Sequence, residues 1–272
     1  MPEFPLPAGG SVIRTYGSVP ASTNGTTLAA GAPGNTKGSY VELISATEFD
    51  ANWIQIQFGA SSINFSSLLD IAIGAAPEQV VIPDLYYGPG AVAGDGPSYL
   101  FPMFIPKGSR LTSRFQSSTA SATMDVVVRL TSGMMLNGHI GQSNVVRYGS
   151  GAFGSIGQNV DPGGTANTDS AWSQITAATV RDHHWWAIGG RCGDGSLSAA
   201  TRWLIDIGIG AATEQVVVSD IFATEQSGIG RSYGGIQCFP MFVPAGSRLT
   251  MRAMSSSTTD GDRDVNMFLH GC

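Results

Sequence analysis

The sequence has little charge for its length. Of its 272 residues only 12% are charged, whereas 42% are hydrophobic, and about a quarter of the residues in soluble domains usually carry charge. Lys and Arg total 14, the net charge is −6, and no block of like charges stands out. Without a basic stripe that could follow a phosphate backbone, we expect no nucleic-acid partner. So little charge favours burial of part of the surface against partner chains.

Long apolar runs and paired cysteines are also lacking. No stretch approaches the ~18 apolar residues of a membrane span, so we expect no membrane insertion. The opening MPEFPLPAGG has neither a basic region nor an apolar run, unlike a secretory signal. The three cysteines, Cys192, Cys238 and Cys272, are odd in number and widely spaced. They favour free thiols in a reducing cytosol over a disulfide framework or a zinc site, and we expect no metal and no cofactor.

What the sequence does contain is a duplication. FPMFIPKGSRLTSR begins at Phe101, and FPMFVPAGSRLTMR begins at Phe239. DIAIGAAPEQVVIPD from Asp70 matches DIGIGAATEQVVVSD from Asp206. The offset between matching blocks grows from 132 to 138 residues along the chain. Elements that keep their length while loops drift are typical of a duplicated domain.

The duplication predicts two tandem domains, at 11–133 and 144–272, joined by a linker at 134–143. Residues 1–10 contain three prolines, which predicts an extended arm without a ladder of its own. Phe4 and Leu6 would be costly to leave in water, so we expect the arm to lie on a neighbouring subunit or on other proteins of an assembly.

Each copy has an all-β pattern. Short alternating or apolar segments such as YVELIS, WIQIQF and MDVVVRL are separated by Gly, Pro, Ser and Thr, and no long helical period occurs. Eight or nine strands per copy favour two tandem jelly-roll-like β-sandwiches. PKGS and PAGS fit tight turns, so the repeated fourteen residues predict a core hairpin in each sandwich.

These repeated blocks, with their low-charge spacers, resemble β-sandwich structural proteins of tailed-phage virions and of gene transfer agents from marine and purple alphaproteobacteria. Among these proteins, the sequence most resembles spike and fibre components that contact the host surface. The resemblance implies a virion protein assembled in the bacterial cytoplasm, and a cyclic homo-oligomer that contacts other virion proteins. It favours a head spike over a tail fibre, and it supplies no catalytic residues.

Two Gly-rich loops with aromatics are the candidate recognition segments. They are YYGPGAVAGDGPSY, which begins at Tyr86, and FATEQSGIGRSYGG, which begins at Phe222. Aromatic faces stack on sugars and polar side chains bind hydroxyls, while packing on a neighbouring subunit is the alternative interpretation. Because the arm adjoins the first copy, the second loop is expected to be distal. The candidate ligand-binding residues are Phe222, Glu225, Gln226, Arg231, Tyr233, Tyr86, Tyr87 and Tyr99.

Trp53 and Trp185 occupy equivalent places on the face opposite the core residues Ile54 and Trp186. Outward tryptophans in both copies predict an interface with another domain or subunit, although sheet twist could instead place them in the core. Asp70, Asp206, Arg110 and Arg248 also recur, which favours internal ion pairs over a binding role.

Groups that could carry chemistry are few. HHWW contains a pair of histidines at His183, but the first copy has no equivalent. In DGDRD, from Asp260 to Asp264, the last Asp aligns with Asp125. The segment predicts an acidic turn, with a calcium site as a minor alternative. No Ser–His–Asp set or catalytic carboxylate pair is indicated, so we expect no enzyme activity.

Three functional hypotheses follow. The first is a virion spike or fibre component that contacts host surface glycan. The second is a non-viral carbohydrate-binding tandem sandwich, and the third is a particle-borne polysaccharide depolymerase.

Overall fold

A computed structural model of the chain describes residues 12–17, 25–61, 66–87, 98–133, 144–149, 157–193, 198–211, 213–225 and 234–272. These residues form β-strands and their connections, with no helix among them, and therefore none that could cross a membrane. The fold is all-β. The arm at 1–10 and the linker at 134–143 lie outside the described residues.

The first half of the chain forms nine strands in two antiparallel sheets. One sheet has the order β1-β9-β4-β7 with β2 also paired to β9, and the other has the order β3-β8-β5-β6. The strands are β1 Ile13–Tyr16, β2 Thr26–Ala29, β3 Val41–Ile44, β4 Ala51–Ser61, β5 Ser67–Ile73, β6 Gln79–Tyr87, β7 Ser98–Ile105, β8 Leu111–Ser117 and β9 Thr123–Thr131.

The second half repeats this arrangement. Its sheets have the orders β10-β18-β13-β16, with β11 paired to β18, and β12-β17-β14-β15. The strands are β10 Val146–Tyr148, β11 Gln158–Val160, β12 Ser173–Thr176, β13 His183–Cys192, β14 Thr201–Ile209, β15 Gln215–Glu225, β16 Gly234–Val243, β17 Leu249–Ser255 and β18 Val265–Gly271.

The strand order in each half is that of a jelly roll. When β2 to β9 are taken as eight successive strands, the first, eighth, third and sixth form one sheet, and the second, seventh, fourth and fifth form the other. β11 to β18 repeat the order without change. Two interleaved Greek keys give this order, so the expectation of two tandem jelly-roll-like sandwiches is confirmed.

Alternation along the strands fills each core. In β4 the inward side chains Ile54 and Ile56 are fully buried, and in β13 the equivalent Trp186 and Ile188 are equally buried. Successive strand residues point to opposite faces, so the residues between them face outward. The apolar residues that WIQIQF and HHWWAI place at every second position therefore form the two cores.

The repeated fourteen residues form β7 and the start of β8 in the first copy, and β16 and the start of β17 in the second. The two strands of each block belong to opposite sheets, so the block crosses from one sheet to the other and the prediction of a core hairpin is wrong. A tight turn alone does not decide whether the strands on either side of it pair. Gly108 and Gly246 occupy the turns with φ of 83° and 78°, a region that glycine enters without a steric penalty. The Ser109 amide closes the first turn by donating to the Pro106 carbonyl at 3.2 Å. The Ser247 amide donates in the same way to the Pro244 carbonyl at 3.3 Å.

Candidate interaction site

The two sandwiches meet through different surfaces. The edge strands β6 and β7 of the first sandwich lie on the same side of it, and we call that side its open side. The outer face of β13 and β18 lies across this open side, and Ala187 and Cys272 join the apolar core of the first sandwich. The Val145 amide donates to the Val81 carbonyl on the edge of β6 at 2.7 Å. The second sandwich thus closes the core of the first.

The three tyrosines predicted for ligand binding in the first loop are buried in this region. Tyr86, Tyr87 and Tyr99 are 3%, 1% and 0% exposed, so none offers a ring face to a ligand, and this expectation is wrong. Tyr87 packs on Phe58 with ring centroids 5.0 Å apart. The Tyr99 hydroxyl donates to the Tyr86 carbonyl at 3.0 Å, and burial raises the Tyr99 pKa. Their position at the ends of β6 and β7, under the second sandwich, explains their burial.

Trp53 and Trp185 pack against each other across the junction of the sandwiches. Their ring centroids are 5.2 Å apart and the rings are nearly perpendicular, at 84°. The Trp185 indole N–H donates to the Leu100 carbonyl of β7 at 2.8 Å. Edge-to-face aromatic pairs add roughly 0.5–1.5 kcal/mol beyond the area that they bury. Both tryptophans therefore hold the two halves of the chain together.

A charged cluster lies at the rim of the same interface. Asp84 pairs with Lys37 at 2.7 Å and with Arg147 of the second sandwich at 3.0 Å. Burial alone would raise the pKa of the Asp84 carboxyl, but the two cations outweigh it and hold the pKa below its usual value. His270 is fully buried nearby, between the Tyr99 and Phe268 rings. The Asp84–Arg147 pair thus fixes the relative orientation of the sandwiches.

The open side of the second sandwich, formed by β15 and β16, is exposed. Phe222 is the counterpart of Tyr86, yet 54% of it is exposed. It borders a cleft of about 210 Å³ that β14, β15 and β17 form next to this side, which we call the Phe222 cleft. The cleft is lined by Asn167, Arg202, Trp203, Leu204, Phe222, Met254, Ser255 and Ser256.

Of the other ligand-binding residues predicted for the second loop, the structure describes only the place of Glu225 along the chain. Glu225 is the last residue of β15, whereas Gln226, Arg231 and Tyr233 lie outside the described residues, as do Phe4 and Leu6. Only Phe222 of the predicted ligand-binding residues is thus placed as an exposed aromatic side chain beside a concave surface.

The recurrent charges form structural ion pairs within each sandwich. Asp70 pairs with Arg114 at 3.0 Å, and the equivalent Asp206 pairs with Arg252 at 2.8 Å. Each aspartate also accepts the amide of the positive-φ residue on the neighbouring strand, Asp84 or Asp220, at 2.9 Å.

Arg110 and Arg248 have different partners from the recurrent aspartates. Arg110 contacts Glu42 at 2.7 Å, and Arg248 contacts Glu214 at 2.7 Å. These arginines directly follow the PKGS and PAGS turns and connect them to neighbouring segments.

The acidic turn holds its own counter-ion. Carboxylate oxygens of Asp161, Asp260 and Asp264 lie within 4.8 Å of one another. Arg263 reaches two of them, pairing with Asp161 at 2.5 Å and Asp260 at 3.1 Å. The β-ladder also corrects the alignment of Asp264 with Asp125, which is wrong.

The counterpart of Asp125 is Asn266. Asp125 lies opposite Thr27 and accepts its hydroxyl at 2.6 Å, while Asn266 lies opposite Asn159 and accepts its amide at 3.2 Å. Asp264 is therefore particular to the second copy.

The paired histidines have separate surroundings. His183 is fully buried, and its Nε2 lies 2.7 Å from the Tyr148 hydroxyl. Burial and the nearby Arg181 lower the pKa of His183 to about 4. His184 stacks on the exposed Phe242 ring, with centroids 5.0 Å apart. The two rings thus serve different contacts.

The sequence interpretation missed the residues that receive the first sandwich. Ala187, Gly189, Phe268 and His270 form the outer face of β13 and β18, and all are buried. A signal was present in the duplication, because Ala187 and Gly189 stand where the first copy has Gln55 and Gln57. Loss of two amides from one copy of a strand indicates a covered face.

No protein-family model and no curated protein sequence matches the chain. Among solved structures it is similar to the N-terminal CBM22-1–CBM22-2 tandem domain of Xyn10C from Paenibacillus barcinonensis, with 13% identity, a TM-score of 0.26, and coverage of 97% of this chain and 92% of that chain. The infectious bursal disease virus VP2 subviral particle gives 8% identity and a TM-score of 0.24, covering 100% and 73%. The Gt strain of that virus gives 11% and 0.26, covering 100% and 74%. The strand order, rather than these distant likenesses, establishes the jelly rolls.

Proposed function

We propose that the chain is a structural subunit of a virus particle, a spike or fibre component with a head spike favoured. The observation that carries the proposal is the closure of one jelly roll by the next, with the equivalent side of the second left exposed. Jelly rolls build viral shells as well as lectin domains. With only 12% charged residues, the chain has little charge to keep an isolated surface soluble, which favours burial of part of that surface against neighbouring subunits.

The interface gives the rigidity that such a subunit needs. Domains in one chain usually move relative to each other unless their interface is large and hydrophobic. Here Trp53, Trp185, Tyr99 and Phe268 are packed between the sandwiches, and the Asp84–Arg147 pair closes the rim. The two sandwiches are therefore expected to act as one stiff unit.

The test is to locate the chain in purified particles. Antibody labelling and a particle reconstruction should place a tandem sandwich at a head vertex or on the tail. A chain lacking residues 1–10 should fold but fail to be incorporated, because the arm with Phe4 and Leu6 is proposed to contact other virion proteins. Normal incorporation of the truncated chain would contradict the role of the arm. Absence of the chain from particles would overturn the proposal.

A second candidate function is contact with host surface polysaccharide. The Phe222 cleft favours it, because a half-exposed ring lies beside Arg202, Asn167 and Ser256. Aromatic rings with a few polar groups around a concave surface are the usual composition of small-ligand sites. The same contact could serve a non-viral carbohydrate-binding protein, which the particle experiment distinguishes. Release of reducing ends from purified capsule would instead support the depolymerase hypothesis.

Attachment measures the glycan contact directly. We expect alanine at Phe222, Arg231 and Tyr233 together to reduce the attachment of particles to host cells when equal numbers of particles are compared. Surface substitutions usually change stability by no more than about 0.5 kcal/mol. Alanine at Val180, the most exposed of the large apolar side chains described, is the matched control. Unchanged attachment of the triple variant would place the receptor contact in another protein.

A further inference from the structure

We propose that the open side of the second sandwich binds the outer face of the β1-β9-β4-β7 sheet in a second copy of this chain. The contact would repeat between chains the one that joins the two sandwiches within a chain. This inference deepens the proposed function by naming the surfaces that assemble, and it rests on that function only in assuming that copies of the chain associate.

Equivalent apolar residues are covered in one sandwich and uncovered in the other. Leu68 and Tyr86 on the first sandwich form a small buried cluster with Phe268, and the Tyr86 and Phe268 rings are 6.0 Å apart. Their counterparts Leu204 and Phe222 line the Phe222 cleft. Tyr86 is 3% exposed and Phe222 is 54% exposed. The second sandwich thus presents the surface that the first one buries.

One acidic residue at this surface is also repeated, but its cationic partner within the sandwich is not, because Asp169 stands in the second copy where the first has Lys37. Asp84 and Asp220 share a positive φ, of 49° and 54°, and Asp84 pairs with Arg147. Asp220 is exposed, and among the described residues its carboxylate has no ion-pair partner. An incoming surface that carries a cation at the equivalent point would complete the arrangement.

The first sandwich has Thr15 at the point equivalent to Arg147, and the neighbouring Arg129, whose Nε donates to the Thr15 hydroxyl at 3.3 Å, offers the cation. The ladder pairs Gln55 with Arg129 in the place where it pairs Ala187 with His270. His270 lies beside Asp84 within the chain, so Arg129 of a second copy would face Asp220 in the repeated contact. Arg129 is half-buried and its guanidinium already contacts Gln55 at 2.9 Å, which orients it on the outer face.

The side chains at the centre of the contact change together. Gly189 leaves room for the Tyr99 ring, since a Cβ at Gly189 would lie 2.2 Å from the Tyr99 hydroxyl. The counterpart of Gly189 is Gln57, and the counterpart of Tyr99 is Gln237. A ring over a glycine is thus replaced by two amides, which can hydrogen-bond to each other across the repeated contact.

Because the two surfaces differ, the contact is heterologous. Each chain has one open side on its second sandwich and one outer face on its first, so copies add head to tail. Such contacts generate rings where the rotation closes and filaments where it does not. A ring matches the cyclic oligomer that the sequence resemblance implies.

The experiment measures the mass of the purified full chain in solution over a range of concentrations. We expect self-association that Phe222→Asp or Asp220→Arg weakens by roughly tenfold or more, since charge and packing are both lost. Val180→Asp serves as the control and should leave association unchanged. Combining Asp220→Arg with Arg129→Glu should restore it. A chain that stays monomeric, or association that ignores Phe222 and Asp220, would overturn the proposal.

A second experiment, disulfide cross-linking between copies, tests the contact even where a substitution alters stability. Chains with Phe222→Cys and chains with Val127→Cys are mixed and oxidised, because Val127 is the counterpart of Phe268, which contacts Tyr86. We expect covalent dimers in the mixture in excess of either variant alone. No excess would overturn the proposal. Because this experiment needs no particle, a lack of cross-linking is distinct from absence of the chain in virions. Binding of a glycan in the Phe222 cleft of a chain that does not associate would also contradict the proposed contact between copies.

Discussion

At the scale of single residues, the fit between the sandwiches depends on Gly189. Its φ does not lie in the left-handed region, so the reason for glycine is space. A Cβ there would meet the Tyr99 hydroxyl at 2.2 Å and its ring carbons at 3.2 and 3.3 Å. The Tyr99 ring is fully buried and hydrogen-bonded to Tyr86, so it has little room to move away.

Gly189→Ala should therefore destabilise the protein by about 1–3 kcal/mol, the usual cost of overpacking a buried site. Urea unfolding of the full chain, followed by tryptophan fluorescence, gives the free energy of unfolding. Gly164→Ala is the matched control, because a Cβ at Gly164 would have no atom within 4 Å. Equal stability of the two variants would show that the sandwiches do not pack as described.

At the scale of elements, the sequence predicted the strands and the tight turns well, but it wrongly paired the strands on either side of PKGS and PAGS, which belong to opposite sheets. Alternation and turn chemistry are local, so WIQIQF, MDVVVRL and the PKGS and PAGS turns were sufficient to predict an all-β fold with eight or nine strands per copy, and the structure has nine in each. The duplication provided a check, since each predicted strand had to be present in both copies. Local patterns also placed Ile54 and Trp186 correctly in the cores.

Contacts between elements were harder to predict, because they depend on register and on which faces meet. Asp70 and Arg110 both recur in the second copy, but the sequence did not indicate which aspartate meets which arginine, and the ladder brings Asp70 to Arg114. Tyr86 and Tyr99 flank a Gly-rich loop and look like recognition residues. They are buried because Phe268 and Gly189 of the second sandwich, far along the chain, cover them, and no local pattern in the sequence indicates such a contact.

At the scale of the whole molecule, two buried histidines make stability depend on pH. His270 lies in the interface between the sandwiches and is fully buried. Burial, and then the nearby Arg147, lower the pKa of His270 to about 4, from an ordinary 6.5. His183, buried in the second sandwich, has its pKa lowered equally, to about 4.

The unfolded chain takes up protons on these histidines as the pH falls below about 6.5, whereas the folded chain does not until about pH 4. Stability is therefore fully present above pH 6.5 and should fall steadily between pH 6.5 and 4. His270→Gln should reduce the slope of unfolding free energy against pH by up to one proton, about 1.4 kcal/mol per pH unit. His184→Gln is the control, because this ring is half-exposed and stacks on Phe242. Urea unfolding at several pH values measures both slopes, and an unchanged slope for His270→Gln would mean that the interface admits solvent to this ring.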